Sequence, residues 1–245
     1  MANIAAMPAT AELLDPILRR RAVKSFSPAG IPPGIREQIL DATRHAPSSF
    51  NIQPYRFYWI ESSARKRVAA ALCHGQSPAA TAAALVVAVA DIGSWRSTAQ
   101  SHIAWLRASG AEEKKIAVHE QRAKFASIFF VQGWFNLLGA FKWLIFRILN
   151  IWKSIGMPPV SRQDLFKWAT KNTALACENL MIAAEVLGFS TCPMEGFDGR
   201  RLSRLLGLAP RSQEIVLVIA VGKKADGYVD HPQWRRPLET TVTFL

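Results

Sequence analysis

Four basic residues lie within six positions near the start of the sequence: Arg19, Arg20, Arg21 and Lys24. They follow a predicted helix that begins near Ala11. A guanidinium group presents parallel N–H donors that match the oxygen atoms of a phosphate, and each charge-assisted hydrogen bond contributes roughly 1.5 to 3 kcal/mol. The cluster therefore favours a phosphate site, and a solvated run of charge is the alternative interpretation.

A polar loop is predicted at residues 46–54, between a helix and a strand. Two hydroxyl groups and two amides are concentrated in it, next to a proline: Pro47, Ser48, Ser49, Asn51 and Gln53. Polar groups at this density can form hydrogen bonds with the edge of a heterocyclic ring. A plain turn is the alternative interpretation, because turns favour the same residue types.

The composition indicates one globular domain over residues 1–245. Half of the residues are hydrophobic and a fifth are charged, which excludes disordered chains, collagen-like repeats and small disulfide scaffolds. The formal net charge is +12 at pH 7, so the surface is expected to attract an anionic partner. Nucleic acid, a phosphorylated cofactor and an acidic membrane face are the three candidates.

The cysteines and histidines show no metal-binding pattern. Three widely spaced cysteines form no C-x-x-C pair, which predicts neither a zinc site nor a disulfide framework and favours a reducing compartment: Cys73, Cys177 and Cys192. Five histidines lack metal-ligand spacing, so they are interpreted as isolated surface or core residues: His45, His74, His102, His119 and His231. No signal peptide is predicted at the N-terminus.

Hydrophobic periodicity predicts strands scattered among helices, which is typical of the α+β class. Helices are predicted over 33–46, from Ser161 to a stop at Gly188, and over 198–206. Ser161 and Asp164 have the spacing of a capping box, and the helix that they open is expected to be buried in the centre of the fold. Buried strands are predicted over 56–60, 84–90 and 215–221.

Four motifs occur in an order that resembles the nitroreductase family of flavoproteins. They are R-R-A-V-K-S-F at 20–26, A-P-S-S-F-N-I-Q-P at 46–54, T-C-P-M-E-G-F-D at 191–198 and W-R-R-P at 234–237. This resemblance implies a nitroreductase-like α+β fold with a central mixed β-sheet flanked by helices. It also implies an intertwined homodimer with a C-terminal extension, which binds FMN at the interface between the two chains.

The resemblance also implies which residues bind the cofactor. The implied set is Arg20, Arg21, Lys24, Pro47, Ser48, Ser49, Asn51, Gln53, Gln76, Met194, Glu195, Gly196 and Arg235. The arginines would hold the phosphate or ribityl chain, and Lys24 would lie near the pyrimidine edge of the flavin. The loop over 46–54 would reach the flavin from the partner subunit. Residues 194–196 would line the ring, with a backbone N–H donating to flavin N5, and Gln76 would contact the ring or the ribityl chain.

Two positions depart from the family pattern. Ala22 stands where many relatives have a serine at the phosphate end of the site. No lysine lies close upstream of Ala84, where some relatives place a second cation. Both departures bear on the affinity for the flavin and on its reduction potential.

The function implied by the resemblance is that of an FMN-dependent oxidoreductase. It would transfer a hydride from NADH or NADPH to a nitroaromatic, a quinone or a similar flat acceptor in a ping-pong cycle, in the cytoplasm. No side chain is expected to act as a catalytic acid or base and no metal is expected, because the hydride passes directly to and from flavin N5. A desaturase or reductive dehalogenase of the same family is one alternative. A basic membrane-binding or nucleic-acid-binding module is another, although no nucleic-acid motif is present.

An aromatic-rich amphipathic helical insertion is predicted at about 121–160, with a helix over 128–152. Lys142 and Arg147 near its middle disfavour a membrane span. A helical wheel predicts a polar arc: Gln132, Asn136, Gly139, Lys142, Arg147, Asn150 and Lys153. The opposite face is apolar: Phe130, Trp134, Leu137, Phe141, Ile145, Ile148 and Trp152. Three interpretations stay open: peripheral contact with an anionic membrane, a lid over the flavin pocket, and part of the dimer core.

Overall fold

A four-stranded antiparallel sheet lies at the centre of the molecule. The structure, a computed structural model, describes residues 8–130, 137–152, 154 and 158–245. The strands are β1 (Tyr55–Ile60), β2 (Ala84–Asp91), β3 (Ser190–Met194) and β4 (Gln213–Gly222). Their order in the sheet is β1-β2-β4-β3, so β2 and β4 are the inner strands.

The sheet buries both of its faces against helices. Strand β2 is buried along its whole length, as expected for a continuous apolar run between two covering layers. Side chains alternate along β2 between the two faces. Leu85 and Val87 belong to the core on one face, and Val86 belongs to the core on the other. Leu180 of the long central helix lies in the same core as Val86, which places that helix across one face.

Nine α-helices are described. They are α1 (Pro8–Arg19), α2 (Pro33–Arg44), α3 (Ser63–Ala71), α4 (Ser77–Thr81), α5 (Trp95–Ala108), α6 (Glu113–Phe130), α7 (Leu137–Trp152), α8 (Arg162–Val186) and α9 (Gly199–Leu206). Helix α8 is the central one. The sequence predicted α2, α8, α9 and three of the four strands to within a few residues.

The predicted capping box of α8 is confirmed. The Ser161 side chain accepts a hydrogen bond from the Asp164 backbone N–H at 3.1 Å, and the Asp164 carboxylate accepts one from the Ser161 backbone N–H at 3.0 Å. Hydrogen bonding to Ser161 lowers the pKa of Asp164. Gly188, with a φ of 77°, follows the helix in the left-handed conformation that favours glycine.

Two predictions, one about the sheet and one about the histidines, differ from the structure. The sheet was expected to be mixed, but its four strands pair only antiparallel, and the parallel pairing in the described chain is one isolated bridge between Ala22 and Thr191. The expectation of isolated histidines is wrong for His102 and His119, whose ring centroids are 4.6 Å apart. Desolvation, together with the positive charge of neighbouring groups, lowers the pKa of His119.

The aromatic-rich segment contains two described helices, α6 and α7. Residues 131–136 and 153 lie outside the described residues, and so do the wheel positions that fall on them. Helix α7 turns part of its predicted polar arc inward: Gly139 is buried and Lys142 is only 8% exposed, whereas Arg147 of the same arc is exposed. Burial lowers the pKa of Lys142. Its predicted apolar face, including Phe141 and Trp152, is exposed. In the described chain, no helix is both long and apolar enough to cross a membrane.

Candidate functional site

The basic N-terminal segment is fixed alongside strand β3. Ala22 bridges Thr191, and the Val23 backbone N–H donates to the Thr191 carbonyl at 3.0 Å. The Lys24 Nζ lies 3.4 Å from the Sγ of Cys192, the next residue of the strand. These contacts bring two motifs together that are about 170 residues apart in the sequence.

The three consecutive arginines have different partners. Arg19 pairs with Asp15 and Glu185, at 3.3 Å each. Arg20 lies 3.9 Å from the Glu178 carboxylate. Arg21 makes no ion pair with any described residue, and its Nη1 donates only to nearby backbone carbonyl groups.

Two buried polar atoms beside the basic segment lack a hydrogen-bond partner among the described residues. They are the Nε of Arg21 and the Oγ1 of Thr191. Burying a polar group without a partner costs roughly 1 to 3 kcal/mol, so such atoms are rare, and a bound ligand is one explanation for them. A guanidinium donor and a hydroxyl group suit a phosphate or a polyhydroxylated chain, and the residues therefore fit the implied FMN.

A side chain from another element holds the segment that ends β3. The Gln76 Nε2, at the start of α4, donates to the Gly196 carbonyl at 2.6 Å. A Cβ atom on Gly196 would lie 3.1 Å from the same Nε2, so glycine permits this close approach. Met194 is buried while Glu195 and Gly196 are exposed, which leaves the backbone of Glu195 and Gly196 open to a ligand. Sequence reasoning gave Gln76 a role toward the cofactor but missed this contact.

The polar loop over 46–54 is held by its own side chains and by α8. The Gln53 backbone N–H donates to the Ser48 Oγ at 2.9 Å, and the Gln53 Nε2 donates to the Asn51 Oδ1 at 3.0 Å. The Ser49 backbone N–H donates to the Oδ1 of buried Asn172 at 2.8 Å. The sequence analysis did not single out Asn172. An amide next to the apolar stretch of α8 could have indicated a buried hydrogen-bonding role.

Three loop residues adopt the left-handed backbone conformation. The φ angles are 58° for Phe50, 54° for Asn51 and 49° for Gln53. This conformation is costly for residues other than glycine and is concentrated at functional sites. The geometry supports a binding role for the loop over a plain turn.

These residues form two separate groups within the chain. The first, which we call the phosphate half, comprises residues 20–24, Gln76 and residues 191–196; its Val23 and Met194 belong to one core. The second, the loop half, comprises residues 47–53; its Ile52 belongs to a different core with Phe130. No hydrogen bond between described residues joins the two halves.

Arg235 belongs to neither half in the single chain. It lies in an exposed C-terminal tail, and its Nη1 donates to the carbonyl of Trp234 at 2.9 Å. The predicted convergence of Arg235 with Arg20 and Arg21 on one phosphate stays a prediction.

A cavity of about 650 Å³ opens beside the loop half. Phe50, Phe130, Trp143 and Trp168 line it together with residues 158–160. Its volume and aromatic lining suit a flat organic molecule.

The cysteine thiols are poorly suited to nucleophilic chemistry. All three are buried and free. Burial raises the pKa of Cys73 to about 11, and burial together with the Glu178 charge raises the pKa of Cys177 to about 12. Both thiols are therefore neutral at pH 7. The part of the chain that the structure describes holds no cluster of three or more His, Cys, Asp or Glu residues that could bind a metal.

The chain is similar to several known proteins in sequence and in fold. The model of the nitroreductase family matches residues 17–223. The chain is 27% identical over 241 residues to the NADH dehydrogenase of Thermus thermophilus, covering 96% of this chain and 98% of that protein. It is 24% identical over 234 residues to YdgI of Bacillus subtilis, a candidate NAD(P)H nitroreductase, covering 94% and 96%. A candidate nitroreductase of Exiguobacterium sibiricum, solved in complex with FMN, superposes with a TM-score of 0.72 at 19% identity, covering 94% of this chain and 96% of that chain.

Proposed function

Because the chain belongs to the nitroreductase family, we propose that it is an FMN-dependent oxidoreductase that uses NADH or NADPH. Its acceptor is a nitroaromatic, a quinone or a similar flat molecule. The observation that carries the proposal is the unpartnered Nε of Arg21, in the segment that pairs with strand β3 through Ala22. Lys24 of the same segment contacts Cys192 of β3, and Gln76 anchors Gly196 just after that strand. When bound, FMN supplies the hydride chemistry at its N5 atom.

The residues of the chain bind and orient the cofactor. Arg20 and Arg21 hold the phosphate end, and Lys24 places a positive charge beside the pyrimidine edge, where reduction adds negative charge. The exposed backbone of Glu195 and Gly196 offers an N–H to flavin N5. The Glu195 carboxylate has no assigned role, since hydride transfer requires no acid or base from the protein.

The aromatic cavity beside the loop half is the proposed acceptor site. Phe50, Trp143 and Trp168 offer stacking surfaces that suit a range of flat molecules. The same lining offers polar contacts from Ser49, Asp164, Lys167 and Lys171. Donor and acceptor would occupy the site in turn, as a ping-pong cycle requires.

We propose that the active protein is an intertwined homodimer in which each site takes one half from each chain. The separation of the phosphate half from the loop half supports this arrangement. So does the C-terminal extension, in which Trp234, Leu238 and Phe244 are exposed in the single chain; exposed apolar residues at this density favour burial against a second chain. Residues 1–245 would act as one domain, with 121–160 as an insertion, in the cytoplasm where NAD(P)H is supplied.

A complementation experiment tests the shared site. One chain carries Arg21→Ala, and the other carries Asn51→Gly with Gln53→Gly, which removes both amides while glycine tolerates the positive φ. Each variant alone is expected to be inactive. Co-expressed, the two should regain activity, because one of the two sites in a mixed dimer is then intact. Failure to regain activity in a mixed dimer that has been isolated by two affinity tags would contradict a site shared between chains.

The proposed function is tested by the spectrum of the purified protein. We expect yellow protein, or apo-protein that turns yellow with one FMN per chain, and bleaching by NADH or NADPH under anaerobic conditions. Reoxidation by a nitroaromatic or a quinone should follow. Protein that takes up no FMN at micromolar concentration would refute the proposal, whereas protein that binds FMN but bleaches with neither nucleotide would favour the desaturase alternative.

Replacing Gln76 by leucine should weaken both FMN binding and the rate of bleaching by about tenfold. The variant loses the hydrogen bond that holds the Gly196 carbonyl, a loss of roughly 1 to 1.5 kcal/mol, and leaves the neighbouring N–H less well oriented. Titration of apo-protein with FMN measures the first effect and stopped-flow absorbance the second. Gln100→Leu, at an exposed position of α5, is the matched control and should change neither.

A further inference from the structure

Helix α7 presents its apolar side to the outside. Five exposed apolar residues follow each other at spacings of three and four, which places them on one face: Leu138, Phe141, Ile145, Ile148 and Trp152. Ile151 and Trp152 at the end of the helix are 73% and 83% exposed. Lys142 is buried on the opposite face. An exposed apolar stripe of this extent marks a surface that binds something.

The sequence on either side of this stripe carries charge of one sign. No Asp or Glu occurs between Gln121 and Gln163, whereas six basic residues do: Arg122, Lys124, Lys142, Arg147, Lys153 and Arg162. The exposed Arg147 on α7 lies over the ring of Trp143, with its Cζ 5.9 Å from the ring centroid. It forms no ion pair with any residue that the structure describes. The surface that covers α7 is therefore expected to be anionic.

A second copy of the chain fits this surface poorly. A two-fold interface pairs a residue of one chain with a different residue of the other, so a second copy would have to cover α7 with a region that is both apolar and acidic. The chain has 30 basic against 18 acidic residues, which disfavours such a region. A lipid surface with anionic headgroups matches both features of α7, the apolar stripe and the positive charge. It accepts the apolar stripe and the tryptophan rings at the level of the headgroups, and it attracts each nearby Lys or Arg.

We propose that α7 docks the protein on an anionic membrane surface, lying parallel to it with the stripe from Leu138 to Trp152 inserted. The helix has 16 residues, and its buried Lys142 faces the protein, so it lies on the bilayer and does not cross it. This proposal is independent of the flavin chemistry.

Flotation with vesicles tests the docking. The full chain is mixed with vesicles of phosphatidylcholine or of phosphatidylcholine with phosphatidylglycerol, at low and at high salt. We expect flotation with the phosphatidylglycerol vesicles and weaker flotation with phosphatidylcholine or at high salt. Ile151→Ser combined with Trp152→Ser should lower the partition coefficient at least about tenfold, since both side chains lose their place in the lipid. Arg147→Glu should lower it about tenfold with phosphatidylglycerol vesicles only.

A matched control separates docking from general hydrophobicity. Val68→Ser removes a half-exposed apolar residue from α3 and should leave flotation unchanged, whereas Ile151→Ser should reduce it. NAD(P)H oxidation with a water-soluble nitroaromatic is measured on every variant, so that a failure of docking is distinguished from a failure of the proposed enzyme. Three outcomes would overturn the proposal: no flotation with either vesicle, equal flotation of Ile151→Ser and Val68→Ser, or conversion of the dimer to monomer by the α7 variants, which would assign the stripe to a second copy.

Discussion

Replacing Arg21 by alanine is expected to weaken FMN binding about 100-fold or more. The buried Nε of Arg21 has no partner among the described residues, and we assign it to the cofactor phosphate. A guanidinium that makes two charge-assisted hydrogen bonds contributes roughly 3 kcal/mol or more, and every 1.4 kcal/mol is a factor of ten in affinity. Titration of apo-protein with FMN, followed by quenching of flavin fluorescence, measures the change.

The neighbouring arginine provides the control. Arg19 is adjacent in sequence and equally basic, but Asp15 and Glu185 already occupy its guanidinium. Arg19→Ala is therefore expected to change the affinity for FMN by less than about threefold, within the range of surface substitutions. Thermal unfolding of both apo-proteins shows whether loss of the Arg21 bonds to the end of α1 matters for folding. Equal FMN affinities for the two variants would remove Arg21 from the phosphate site.

Local signals were sufficient to predict much of the fold. The capping box of Ser161 and Asp164 and the left-handed Gly188 fixed both ends of α8, because caps and stops depend on neighbouring residues. Continuous apolar runs located β2 and β4 for a similar reason, since a strand covered on both faces has no polar positions.

Strand β3 was not predicted because its residues do not carry that pattern. Ser190–Met194 contains a serine, a threonine and a proline, and it becomes a strand through its pairing with β4 and its bridge to Ala22. Such long-range pairing overrides local preference. The contact of Gln76 with Gly196 could not be predicted from local sequence either, because 120 residues separate the two.

The orientation of α7 shows a different limit. The helical wheel correctly placed Lys142 and Phe141 on different faces of the helix. A wheel does not show which face is buried against the rest of the protein. In a water-exposed helix the apolar face would turn inward. The structure has the reverse, with Phe141 exposed and Lys142 buried, and this reversal is the observation behind the proposed docking of α7 on a lipid surface.

Replacing Lys24 by methionine should lower the two-electron reduction potential of the bound flavin by about 30 to 60 mV, or about 1.4 to 2.8 kcal/mol. Methionine keeps much of the length of the lysine side chain but removes the positive charge that we place beside the pyrimidine edge. A unit charge a few ångströms away in a partly buried site contributes a few kcal/mol, because the effective dielectric constant there is about 20. The rate of bleaching by NAD(P)H should fall by about threefold to tenfold, because about half of the lost driving force appears in the barrier to hydride transfer.

The charge is tested by two further variants. Lys24→Arg retains the charge and should keep the potential within about 15 mV of the parent, although its planar group cannot reproduce the 3.4 Å contact of the Lys24 Nζ with Cys192. Lys114→Met removes a charge from the exposed part of α6 and should leave the potential unchanged, because solvent screens distant surface charges. If Lys24→Met and Lys114→Met gave the same potential in a xanthine oxidase titration against a reference dye, Lys24 would not be the cation at the flavin. The segment over 20–24 would then serve the phosphate end alone.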